Sequence, residues 1–143
     1  EDGVARNLMD YGPSLGRRFR ALKLWMVLRS LGAEGLAGRV RAHVAMAQDF
    51  ARRLDEDPDW ERMAPAPMST VLFRHLPPGL DAPALDAHNR RIMDAVNAGG
   101  RAFLSHAIVR GRFALRLAIG NLKTTEKHLG ETWELLRREA ARV

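Results

Sequence analysis

The stretch LGRRFRALKLWMVLR, residues 15–29, decides how the rest of this chain is interpreted. Its apolar residues recur at helical spacing and its basic residues fall mostly on other faces, which predicts a helix from about Gly16 to Leu31. From Leu24 to Leu28 the apolar residues are uninterrupted. A helix that is apolar on all sides is normally buried, so we expect this part to enter a core and the Leu15 end to lie at an exposed or functional edge.

The composition is typical of a single globular domain. The chain has 143 residues, of which 46% are hydrophobic and 28% are charged. It contains no cysteine, which excludes disulfides and thiolate chemistry and favours a cytoplasmic location. No apolar run approaches the ~20 residues that span a bilayer, so we expect no membrane partner. The first residue is Glu1, which indicates either a processed start or a piece of a longer chain.

The formal net charge of +6 raises the alternative of a stand-alone basic helical module that binds nucleic acid or a protein partner. Basic residues are interleaved with acidic ones, however, as they are between Asp49 and Asp57. That distribution is typical of a solvated surface, so we expect no nucleic-acid partner. A steeply salt-dependent affinity for duplex DNA would favour the alternative instead.

The remaining pattern predicts alternating helices and strands. Gly32, Gly35 and Gly38 are expected to end the first helix, and a second helix follows the apolar stripe from Leu36 to Leu54. His43 lies at the edge of that stripe and is expected to be a packed boundary residue. The later elements are a short edge strand at 60–63, a strand at 69–76, a helix from Asp81 to Gly99, two strands at 102–109 and 112–121, and a last helix capped by Thr124 or Thr125.

This order predicts an α+β domain. We expect a small antiparallel sheet of three to four strands with about four helices packed on one side. In the last strand, residues 113, 115, 117 and 119 should face the helices, and Arg116 should face the other way.

The residues themselves predict no complete active site. The five histidines have no metal-ligand spacing, and Ser105 and His106 are adjacent on a strand, so their side chains point to opposite faces. No glycine-rich phosphate loop is present. Arg116 stands between Ala114 and Ala118, where its guanidinium can bind a substrate carboxylate bidentately, cover the open face of the sheet, or pair with an acid nearby.

The chain resembles the group II pyridoxal-phosphate-dependent amino-acid decarboxylases, which include the aromatic-amino-acid, tyrosine and histidine decarboxylases. The resemblance rests on residues 15–29 and continues through 71–74, 97–100, 115–121 and the Trp133 region. It implies that residues 15–143 are the C-terminal small domain of a fold-type I enzyme, with residues 1–14 as an entering linker.

The resemblance also implies what lies elsewhere. Pyridoxal 5'-phosphate and its Schiff-base lysine belong to a large domain of the same polypeptide, and Lys23 and Lys123 do not match that lysine. We therefore expect no catalytic, cofactor-binding or metal-binding residue in this chain, and we expect the isolated chain to be inactive. The implied partners are the large domain, a second subunit of a homodimer and an amino-acid substrate.

Three residues are implied in substrate binding. The Leu-Gly pair of the family signature lines the substrate pocket across the dimer interface, and in this chain the pair is Leu15 and Gly16. A glycine at this position leaves room for a bulky or aromatic side chain. Arg116 matches a strand arginine that anchors the substrate carboxylate in related enzymes of the fold, where orienting the carboxylate contributes directly to decarboxylation.

Overall fold

The computed structural model describes residues 19–143. The described part contains three helices, α1 (Arg20–Glu56), α2 (Ala82–Ala98) and α3 (Glu126–Ala140), and four strands, β1 (Trp60–Arg62), β2 (Thr70–His75), β3 (Ser105–Val109) and β4 (Arg112–Ala118). The chain divides into two compact units between Leu36 and Ala37.

The first unit contains the beginning of α1, and its apolar side chains are exposed. Phe19, Leu24, Trp25 and Met26 are each more than half exposed, and Val27 and Leu28 are about 40% exposed. Among the described residues Leu24–Leu28 therefore enters no core, as we expect of a helix that the implied large domain would cover. A helix that is apolar on all sides needs neighbours on all sides, and the described residues do not provide them.

Helix α1 is interrupted at one glycine rather than ended by three. Gly32 has φ 65° and ψ 177°, outside the helical region, whereas Gly35 and Gly38 remain within the helix. Glycine adopts positive φ without the steric penalty of a Cβ, so the break falls there. The predicted end of the first helix at about Leu31 falls at this break. Gly35 and Gly38 do not interrupt the segment that follows, since a single glycine costs a helix only about 1 kcal/mol. Among the described residues, α1 thus consists of two helical segments that meet at Gly32.

The second unit, Ala37–Val143, holds the whole sheet. All its strand pairs are antiparallel, in the order β1-β2-β4-β3, so β4 is a central strand between β2 and β3. The predicted α+β class and strand number are confirmed. The β3–β4 hairpin turns through Arg110 and Gly111, both at positive φ, which is the geometry of a type I′ turn.

All three helices contribute to the core on one face of the sheet. Phe50 of α1 contacts Phe73 of β2 and Trp133 of α3, with ring centroids 5.6 and 5.8 Å apart. Trp60 of β1 lies 5.4 Å from Trp133. The predicted inward residues of β4 are buried, namely Phe113, Leu115, Leu117 and Ile119. We call the opposite face of the sheet, which carries Arg116, the open face.

Helix α2 holds two strands through asparagine side chains. Asn89 is fully buried, and its Oδ1 accepts from the backbone N–H of His75 at 2.8 Å while its Nδ2 donates to the His75 carbonyl at 2.9 Å. Asn97 makes the same pair of bonds to the N–H and carbonyl of Leu104, at 2.7 and 2.9 Å. Strand β3 begins at Ser105, directly after this contact, so the predicted start at residue 102 is wrong.

The helix ends follow the predicted caps. Asp81 Oδ1 accepts from the Ala84 N–H at 2.9 Å at the start of α2. Thr125 is the N-cap of α3, and its backbone N–H donates to Nδ1 of His128 at 3.1 Å. The predicted inner stripes of both helices are buried, including Ile92 and Val96 of α2 and Leu136 of α3.

Candidate functional site

Arg116 lies in the middle of the central strand β4, on the open face and exposed to solvent. Its cross-strand partners are Leu72 of β2 and Ser105 of β3. Its Nη1 donates to Ser105 Oγ at 3.2 Å. Among the residues that the structure describes, no carboxylate lies within ion-pair distance of this guanidinium. One edge of the guanidinium is thus held by Ser105, and no described acid neutralises its charge.

The neighbours of Arg116 give it room. Ala114 and Ala118 flank it on the same face of β4, and neither side chain extends beyond Cβ. A second arginine of this face, Arg74 of β2, behaves differently. Its side chain is 7% exposed, and its Nε and Nη2 both lie 2.6 Å from Glu61 Oε2 of β1. Arg74 is thereby committed to a structural ion pair, whereas Arg116 is free to bind an anion.

The other two predicted substrate-binding residues, Leu15 and Gly16, lie outside the described residues. Their assignment stays a prediction that rests on the family resemblance.

Ser105 and His106 point to opposite faces, as the strand alternation predicts. Ser105 bonds to Arg116 on the open face, while the His106 ring stacks on Phe113 with centroids 5.0 Å apart. The pair cannot act as nucleophile and base, because the two side chains are separated by the sheet.

The described residues do not fit a pyridoxal-phosphate site. A Schiff-base lysine is normally desolvated, so that its amine can lose its proton. Lys23, Lys123 and Lys127 are all exposed. Between residues 19 and 143, no three histidine or carboxylate side chains converge closely enough to hold a metal ion. In the same range, every helix is too short or too polar to cross a membrane.

Two clefts lie in the second unit. One, of about 360 Å³, lies between the end of β4 and α3, and Arg101, Lys123, His128 and Glu131 are among its lining residues. The other, of about 720 Å³, is lined by Trp60, Trp133 and His75 together with charged residues, namely Arg53, Glu56, Asp57, Asp59 and Arg137. Both clefts are lined by basic and acidic groups, so neither has an electrostatic potential of a single sign.

The structure brings together two histidines that the sequence spacing did not connect. Nδ1 of His75, at the end of β2, lies 2.8 Å from Nε2 of His88 in α2. Burial lowers the pKa of both rings, and the charges of His75 and Arg91 lower the pKa of His88 further. A spacing of thirteen residues across a loop carries no signal for this contact, because it depends on how the helix docks on the strand.

Some of the basic residues of the described part are paired with acids. Arg52 and Arg53 both bind Asp49, Arg62 binds Asp55, and Arg138 and Arg142 both bind Glu139. The charge of these five guanidinium groups is therefore locally compensated. His43 is buried as predicted, and its Nε2 has no hydrogen-bond partner among residues 19–143.

The fold matches solved structures of decarboxylases. The crystal structure of Oryza sativa TDC with PLP and tryptamine superimposes with a TM-score of 0.81 at 34% identity, and the match covers 99% of this chain and 30% of that one. The crystal structure of Catharanthus roseus tryptophan decarboxylase in complex with L-tryptophan gives a TM-score of 0.79 at 34% identity, over 96% of this chain and 30% of that one. The fold is therefore that of one part of a decarboxylase.

The sequence comparisons agree. The model of the pyridoxal-dependent decarboxylase conserved domain matches residues 1–76, and the chain belongs to that family. It is 43% identical to tryptophan decarboxylase 2 of Oryza sativa subsp. japonica, and 41% identical to phenylacetaldehyde synthase of Arabidopsis thaliana. These matches cover 94% and 92% of this chain but only 27% of each relative, so the chain spans about a quarter of their length. The family predicted from residues 15–29 and the later motifs is confirmed.

Proposed function

We propose that this chain is the C-terminal small domain of a pyridoxal-phosphate-dependent decarboxylase that acts on an aromatic or similar L-amino acid. The observation that carries the proposal is the match of nearly the whole chain to about 30% of solved tryptophan decarboxylases. The names of the sequence relatives, which are tryptophan and tyrosine decarboxylases and phenylacetaldehyde synthases, support an aromatic substrate.

In this proposal the large domain of the same polypeptide holds the cofactor, which acts as the electron sink of the reaction. The small domain closes and shapes the active site, and alone it is inactive. We further propose that the whole enzyme is a cytoplasmic homodimer in which Leu15 and Gly16 line the substrate pocket. The absence of cysteine from the chain supports a reducing compartment.

Arg116 is proposed to bind the substrate carboxylate. Three features support this role: its place in the middle of a central strand, the alanines beside it, and the absence of an acidic partner among the described residues. A guanidinium fixed by Ser105 at one nitrogen can still present two N–H groups to a carboxylate. Holding the carboxylate in one orientation would contribute by positioning the bond that breaks.

The experiment compares Arg116→Ala and Arg116→Lys in the full-length enzyme. Loss of a charge-assisted bidentate contact is worth about 2–3 kcal/mol, so Arg116→Ala should lower kcat/KM for the amino acid about 30- to 150-fold. Arg116→Lys keeps the positive charge but loses the planar guanidinium, so its kcat/KM should lie between those of the wild type and Arg116→Ala. Binding of the corresponding amine, which lacks the carboxylate, should not change in either variant.

Arg112→Ala is the matched control, because Arg112 is an exposed arginine on the same face of β4 at the hairpin end. Its kcat/KM should equal that of the wild type. An Arg116→Ala enzyme with wild-type kcat/KM, or one that loses affinity for the amine as much as for the amino acid, would contradict the role of Arg116.

A further inference from the structure

The end of strand β2 is attached to α2 by two contacts that differ in chemistry. Asn89 bonds to both backbone groups of His75 through its neutral amide, at 2.8 and 2.9 Å. One residue before Asn89, His88 bonds through Nε2 to the ring Nδ1 of His75 at 2.8 Å. The first contact involves no group that titrates near neutral pH, whereas the second is formed by two groups that do.

The histidine contact tolerates one proton but not two. With both rings neutral, one ring nitrogen carries a hydrogen and donates it to the lone pair of the other. With one ring protonated, the same bond persists with a charged donor. With both rings protonated, two N–H groups face each other and neither nitrogen has a lone pair to accept. Two positive charges then stand at hydrogen-bond distance, which is repulsive.

The surroundings determine how readily the second proton is taken up. Burial is the largest influence and lowers the pKa of both rings, and Arg91 of α2 lowers that of His88 further. Asp57 and Asp59, which precede β1, act in the opposite direction on His75. The other charged groups of the cleft beside His75 are Arg53 and Glu56 of α1 and Arg137 of α3, which lies 3.8 Å from Asp57.

The nearest aromatic neighbour of His75 outside the pair is Trp60, whose ring centroid lies 4.9 Å from that of His75. The large cleft brings solvent to His75 from the other side, so protons can reach the pair. We propose that the His75–His88 pair is an acid-sensitive contact, which holds the end of β2 on α2 at neutral pH and separates when both rings are protonated.

The sign of the effect follows from linkage. Both rings take up protons less readily in the folded chain than in the unfolded chain, where the ordinary pKa of about 6.5 applies. Their contribution to stability is therefore complete above about pH 6.5 and is lost as the pH falls below it. Between pH 7.5 and 5.5, each histidine that stays neutral in the folded state should raise the equilibrium constant for unfolding about tenfold.

The test has two measurements on the 143-residue chain. In the first, urea unfolding at pH 7.5 and 5.5 compares the wild type with the double variant His75→Leu/His88→Leu and with His106→Gln, which replaces an exposed histidine of β3. The wild type and His106→Gln should show a rise of about tenfold or more in the unfolding constant, and the double variant less than about threefold. An equal rise in all three would overturn the proposal.

The second measurement needs no variant and decides the matter if the double variant does not fold. Histidine ring resonances are titrated by NMR, and exchange of the His75 amide hydrogen is followed over the same pH range. We expect the pair to titrate in two steps separated by more than one pH unit. We expect the His75 amide to lose protection as the second proton binds. Two independent titrations at about pH 6.5, with constant protection of that amide, would refute the acid-sensitive contact.

Discussion

Asn97 offers the sharpest test of how the loop between α2 and β3 is held. Its side chain accepts from the Leu104 N–H at 2.7 Å and donates to the Leu104 carbonyl at 2.9 Å, and Leu104 is 1% exposed. Replacing Asn97 with alanine leaves two buried backbone groups without partners, at about 1–3 kcal/mol each. Alanine recovers about 0.5 kcal/mol through its higher helix propensity. Because Asn97 is only half-buried and water can enter, we expect a net loss of about 2–4 kcal/mol.

The assay is urea unfolding followed by the fluorescence of the core tryptophans, Trp60 and Trp133. A loss of this size should lower the midpoint by about 1–2 M. Asp94→Ala is the control, because Asp94 is an exposed residue of the same helix and should change stability by less than about 0.5 kcal/mol.

Asn97→Asp keeps one of the two hydrogen bonds to Leu104 and removes the other. The introduced carboxylate still accepts from the Leu104 N–H, but its second oxygen faces the Leu104 carbonyl instead of donating to it. Protonation restores a donor, so the pKa of the introduced carboxyl should be raised in the folded state. The free energy of unfolding of Asn97→Asp should therefore approach that of the wild type as the pH falls towards 4. If Asn97→Ala costs less than about 1 kcal/mol, or if the stability deficit of Asn97→Asp does not depend on pH, the Asn97 side chain does not hold the loop between α2 and β3.

Two further predictions concern the sheet. Glu61→Ala removes the partner of buried Arg74 and should lower the free energy of unfolding, measured in urea, by about 2–3 kcal/mol. Glu131→Ala breaks the exposed pair with Lys127 and should lower it by less than about 0.5 kcal/mol, so equal losses would contradict the difference between the buried and the exposed pair. Arg110→Asn should raise the thermal midpoint by about 1–3 °C, because asparagine tolerates the positive φ of this turn position better than arginine; a lowered midpoint in a thermal scan would count against it.

Much of the fold follows from local pattern. The alternation of residues 113–119 predicts which side of β4 is buried, and Asp81 followed by Pro83 predicts the start of α2. These features are encoded within a few residues of where they act. The contact that holds the chain before β3 could not be predicted in this way, because it joins Leu104 to Asn97, seven residues earlier in another element.

The candidate site was predictable in part. Strand alternation predicts that Arg116 lies on the open face between two alanines, but its bond to Ser105 depends on the register of β3 against β4. The His75–His88 contact depends in the same way on the docking of α2. Hydrophobicity predicts that Leu24–Leu28 needs a neighbour, and the family resemblance implies that this neighbour is the large domain. The described residues supply none.

The architecture explains why an arginine on β4 can act as a precise anchor. Strand β4 is paired on both sides, by β2 and β3, and its inner residues pack in the aromatic core. The two strands beside it are held in turn to α2, β2 through Asn89 and the chain leading into β3 through Asn97. A binding group is most useful when its backbone cannot move, since a shift of about 1 Å is enough to lose most of a catalytic orientation. Loosening either asparagine contact should therefore affect the proposed carboxylate site through the position of β4, although neither asparagine bonds to Arg116.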